Sequence, residues 1–86
     1  METQEKLIYT YNQLLSSFFN ELSSRDALYS RQLEFKLTGL SDGNAIKNIR
    51  TSQKLFRYHV THRLKDWQLD NPDLFDAAME VLRFNP

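Results

Sequence analysis

Apolar residues at Ile8, Tyr11, Leu15, Phe18 and Leu22 follow one another at spacings of 3, 4, 3 and 4, the rhythm of one face of an α-helix. Leu7, Leu14 and Phe19 widen the stripe, and the pattern predicts an N-terminal amphipathic helix over residues 3–22. A stripe this broad and aromatic suits core packing. Its rhythm is also that of a two-helix coil, so Ile8, Tyr11, Leu15 and Phe18 are also candidates for a homodimer seam.

Ser23 and Ser24 offer hydroxyls that can cap a second helix through Ala27, Leu28, Leu33, Phe35 and Leu37. Gly39 is placed to end it, because glycine takes the left-handed conformation common just past a helix C-terminus. Ser41 can cap a short third helix over residues 42–49, with Asp42 against the positive end of the helix dipole and Ala45, Ile46 and Ile49 facing inward. A tight turn at Arg50-Thr51 then leads to a fourth helix capped by Ser52 or Thr51. Its inward positions, Phe56, Val60, Leu64 and Trp67, are spaced 4, 4 and 3. Asn71 ends that helix and caps a fifth. Pro72 sits at the first helical position, where a missing N–H costs nothing, and Phe75, Ala78, Met79 and Leu82 share one face. The expectation is a single all-α domain over residues 1–86 with about five helices.

Composition supports that reading. Two Gly and two Pro leave little material for a turn-rich β fold, and the absence of cysteine removes disulfides and thiolate chemistry. The longest apolar runs fall far short of a membrane span, which needs about 18 consecutive apolar residues, so the expected setting is cytoplasmic and away from the membrane. Formal net charge is zero, but its distribution is uneven: residues 36–65 carry seven basic groups and one acidic, between flanks in which acidic groups outnumber basic ones. A local basic segment is the electrostatic footprint of a nucleic-acid-binding element, and it is equally the pattern of a solvated helix face.

A short capped helix, a tight turn and a longer basic helix stand in the order of a helix-turn-helix. The wording of residues 39–67, GLSDGNAIKNIRTSQKLFRYHVTHRLKDW, resembles the LuxR-type helix-turn-helix of response and quorum-sensing regulators, whose pattern reads G-L-S-N-K-E-I-A followed by E-K-T-V-K-x-H-V and K-L. Gly39, Leu40, Ser41, Ser52, Lys54, His59, Val60, Leu64 and Lys65 fall on like positions without a gap, and DAAMEVL at residues 76–82 is similar to the family's last helix. The resemblance spans about residues 24–83. It implies a LuxR-like core with an extra N-terminal helix and residues 52–67 as the recognition helix in the major groove of double-stranded DNA. Arg57, Tyr58 and Thr61 would then reach base edges, while Lys47, Arg50, Lys54 and Lys65 would contact phosphates. A small transcriptional regulator acting as a homodimer is the function it implies.

The chain also departs from the pattern, at Ala45-Ile46, Leu55-Phe56 and Asp66-Trp67. With zero net charge and acidic flanks, those departures favour a rival: a protein-interaction module, such as an anti-activator or phage-type inhibitor, on a helix-turn-helix-like scaffold that does not bind DNA. No enzyme is expected, because no nucleophile–base motif or glycine-rich phosphate loop is present. No cofactor or metal is expected either. His59 and His62 stand three apart without a third ligand at a useful spacing, so packing or capping is the expected role of His59.

Overall fold

The computed structural model describes residues 4–37 and 45–86, the side chains of Gln4, Ala45, Ile46 and Lys47 excepted. The described residues form four α-helices and no strand: α1 Gln4–Arg25, α2 Ala27–Leu37, α3 Ala45–Asp70 and α4 Pro72–Arg83. The all-α expectation holds, with one helix fewer in the described part. The expected stop at Gly39, cap at Ser41 and helix start at Asp42 lie outside the described residues.

The first helix runs three residues beyond its expected end. Ser23 and Ser24 do not cap α2; their hydroxyls turn back and donate to the carbonyls of Asn20 (3.2 Å) and Glu21 (2.8 Å) on α1. The break falls at Asp26, whose carboxylate accepts from the backbone N–H of Tyr29 at 3.0 Å. This is the bond of an N-cap, satisfying a donor the first turn of α2 would otherwise leave free.

The turn expected at Arg50-Thr51 is not present: α3 is one unbroken helix of 26 residues. The reason lies in the residues themselves. No Gly or Pro occurs between residues 45 and 70, so nothing there forces the backbone out of the helical region. The Ser52 hydroxyl, expected as a cap, is buried and shares a hydrogen bond of 2.7 Å with the Tyr11 hydroxyl of α1. Ile49, Ser52, Phe56, Val60 and Trp67 are all buried. Their spacings of 3, 4, 4 and 7 carry one inward stripe straight through the expected turn.

At the other end of α3 the signals hold. Asn71 accepts from the backbone N–H of Leu74 with its side chain, and Pro72 opens α4. Leu74, Ala78, Val81 and Leu82 are buried, with Phe75 and Met79 half-buried beside them.

α1 packs against each of the other helices, α2 and α4 each pack on α1 and α3, and α2 and α4 do not touch. The core is organised around Phe18, which is fully buried; its ring stands edge-on to Phe56 at 4.8 Å and lies 5.7 Å from Trp67. Aromatic pairs at such distances and tilts stabilise by about 0.5–1.5 kcal/mol beyond the area they bury.

This packing also answers the seam reading of α1. Tyr11 and Phe18 are buried in the chain's own core, and Ile8 and Leu15 are half-buried against it. A second chain could reach Tyr11 and Phe18 only by displacing α3 and α4. The stripe is broad because two neighbouring helices cover it.

Candidate nucleic-acid interface

The inner face of α3 is fixed from three sides. Phe56 meets Phe18 of α1, and Gln53 donates through its amide to the carbonyls of Val81 (3.0 Å) and Phe84 (2.6 Å) at the end of α4. On the α2 side, the Tyr29 hydroxyl donates to the His59 carbonyl at 3.0 Å, and the Arg63 guanidinium lies 4.1 Å from the centre of the Tyr29 ring. A cation over an aromatic face at that distance is attracted by the ring quadrupole. Burial raises the Tyr29 pKa above its ordinary value; Arg63 opposes that shift and Asp26 adds to it. Gln53 thus holds the end of α4 to α3, and Arg63 ties α3 to α2.

With the inner face held in this way, the outer face is determined. Arg50, Lys54, Arg57, Thr61 and Lys65 follow at spacings of 4, 3, 4 and 4, and all five are exposed. At 1.5 Å rise per residue they form a stripe about 22 Å long opposite Phe56 and Val60. Tyr58 stands beside the stripe, 77% exposed. Its ring lies edge-on to His59, with centroids 5.1 Å apart. Arg57, Tyr58 and Thr61, expected at base edges, thus stand together with Arg50, Lys54 and Lys65, expected at phosphates. The side chain of Lys47 lies outside the described residues.

The stripe has a consistent electrostatic character. Six Lys or Arg and no Asp or Glu occur between residues 45 and 65. Of the described ones only Arg63 is drawn inward, being half-buried, while Arg50, Lys54, Arg57 and Lys65 are exposed. α4 carries Asp73, Asp76 and Glu80 at its surface, and it packs on the flank of α3 marked by Gln53, not over the stripe. The Thr61 hydroxyl donates back to the Arg57 carbonyl, which satisfies its proton within the helix and leaves its methyl group available at the surface.

His59 is half-buried between the stripe and α2. Its burial, and after that the positive charges of Lys36 and His62, push its pKa below the ordinary histidine value. Among the described residues, no three His, Cys, Asp or Glu side chains are grouped so as to hold a metal ion. No helix of the described residues is long and apolar enough to cross a membrane.

In comparison with known proteins, no family model matches the chain, and neither a curated protein nor a solved structure matches it.

Proposed function

We propose that the chain is a small, non-catalytic DNA-binding protein that lays the outer face of α3 into the major groove of double-stranded DNA and acts in transcription regulation. The observation that carries this reading is the exposed stripe of Arg50, Lys54, Arg57 and Lys65 on one rigid helix, in a segment free of carboxylates. A major groove about 12 Å wide admits an α-helix, and cations along the helix neutralise phosphates on both walls. Arg57 can form two hydrogen bonds with a guanine, while Tyr58 and the Thr61 methyl can meet a thymine methyl. Lys54, Arg50, Lys65 and Lys47 supply position and affinity without reading sequence. The LuxR-type resemblance supports the assignment of Arg57, Tyr58 and Thr61 as the base-reading positions.

The protein-interaction module remains the second reading because α3 runs unbroken through Arg50-Thr51, where the resembled motif has its turn. Fluorescence anisotropy on a pool of random duplex DNA, taken up a salt series, separates the two. The proposal requires binding that weakens steeply with salt and is lost with Arg57→Glu. Absence of binding at low salt refutes it and leaves the protein-partner reading.

A further inference from the structure

A second group of hydrogen-bond donors stands where α2 passes α3. The Tyr29 ring lies 6.5 Å from Trp67, with the Arg63 guanidinium 4.1 Å from its centre, and its hydroxyl reaches the His59 carbonyl at 3.0 Å. Lys36 follows Tyr29 by seven residues, two turns along the same flank of α2, and there its charge acts on His59. Advancing along α2 thus means going back along α3, and Lys36 comes level with His59 in the last turn of α2. His62 acts on His59 from the α3 side. Both Lys36 and His62 are exposed.

Carboxylates are set apart from this place. Glu34 precedes Lys36 by two residues, which puts it on nearly the opposite side of α2. Asp26 caps the other end of that helix, and along α3 the first carboxylate, Asp66, stands one turn beyond His62. The remaining titratable groups around His59 are the Tyr29 phenol, Arg63 and the Tyr58 ring beside it. Lys36 supplies an ammonium, and His62 an imidazole N–H that is a donor in either protonation state.

We propose that Lys36 and His62 form a phosphate seat that holds one strand of the duplex backbone beside α3, so that the DNA contact extends over two helices. This rests on the reading of α3 as a major-groove helix. A helix seated in a groove about 12 Å wide has a sugar–phosphate strand on each side. A neighbouring helix packs about 8–10 Å from its axis, so α2 brings Lys36 to the strand on its own side. The flank on which α4 packs suits a phosphate strand less well, since α4 exposes three carboxylates, Asp73, Asp76 and Glu80, and one cation, Arg83. Continuity with the basic stripe, across exposed Tyr58, is the reason the occupant is a duplex and not a free ion.

Anisotropy on random duplex DNA through a salt series tests the seat in the full chain. Lys36→Gln should weaken binding by roughly threefold and flatten the salt slope by about one, and Lys36→Arg should keep both near wild type. His62→Glu, which sets a carboxylate in the seat, should weaken binding by roughly tenfold. Circular dichroism and the melting temperature check that each variant keeps its fold. Inorganic phosphate serves as the second probe, followed through the imidazole resonances of His59 and His62. If phosphate moves them while Lys36→Gln leaves the duplex salt slope unchanged, the seat takes a free ion only and the proposal is overturned. Wild-type binding that is lost with Arg57→Glu but indifferent to Lys36→Gln and His62→Glu overturns the seat alone. A wild-type chain that does not bind duplex at low salt overturns the major-groove reading and the seat with it.

Discussion

The outer faces of α2 and α3 are both open to solvent, yet they are built on different physical terms. α3 shows Arg50, Lys54, Arg57 and Lys65 along one stripe, whereas α2 shows Leu28 and Phe35 with Arg31 and Glu34 at their side. The first surface gains from a dense array of negative charge and loses its grip as salt rises. The second gains by leaving water and is far less sensitive to salt. Exposure therefore does not imply one kind of chemistry: the open face of α3 is cationic and that of α2 is largely apolar. Both faces depend on the same core, because Phe18 packs against α3 and the Tyr29–Arg63 contact joins α2 to it.

The largest expected effect removes that shared support. Phe18→Ala should cost about 3–5 kcal/mol, a large share of the 5–15 kcal/mol typical of a small domain. Urea denaturation should show it, and both surfaces should be lost together. Next is Ser52→Ala, which leaves the Tyr11 hydroxyl buried without its partner and should destabilise by about 1–3 kcal/mol. Adding Tyr11→Phe should then recover most of the loss, since both halves of the bond are gone. If Ser52 instead capped a separate helix, the double variant would remain as unstable as Ser52→Ala.

Comparable in size but confined to binding, Arg57→Ala should cost about 1–3 kcal/mol on a cognate duplex and relax preference at one base pair. Competition with single-base variants of the selected site measures both. The smallest effect belongs to Lys54→Ala: weaker binding to all sequences alike and a salt slope flatter by about one. Equal behaviour of Arg57→Ala and Lys54→Ala would dissolve the distinction between base-reading and phosphate-holding positions.

Much of the fold was legible in the sequence where a local signal had no competitor. Asn71-Pro72 marked a helix boundary because proline cannot continue one helix and is well suited to begin the next, and α4 starts there. Serine was a weaker guide. Ser23 and Ser24 bond within α1, and Ser52 is spent on Tyr11, so three candidate caps serve other bonds. The continuity of α3 was nonetheless readable in the spacing of Ile49, Phe56, Val60 and Trp67, which a turn at Arg50-Thr51 would have disrupted. Gln53 could not be placed from sequence, because its partners are backbone carbonyls of α4 that only the tertiary packing brings near. The basic stripe was legible only in part: Lys54, Arg57, Thr61 and Lys65 follow from the spacing of one helix, whereas Arg50 was expected in a turn and joins them because α3 is unbroken. The exposed pair on α2 was not: Leu28 and Phe35 look like core residues until Leu33 and Leu37 are seen to take the inward side.

The most direct test of the division between the two faces is a titration of the isotopically labelled chain with a short duplex, followed by amide and side-chain nuclear magnetic resonance. The account predicts that the largest shifts fall on Arg50, Lys54, Arg57, Tyr58, Thr61 and Lys65, with Leu28 and Phe35 of α2 little changed. Shifts centred on α2, or spread evenly over the surface, would contradict it.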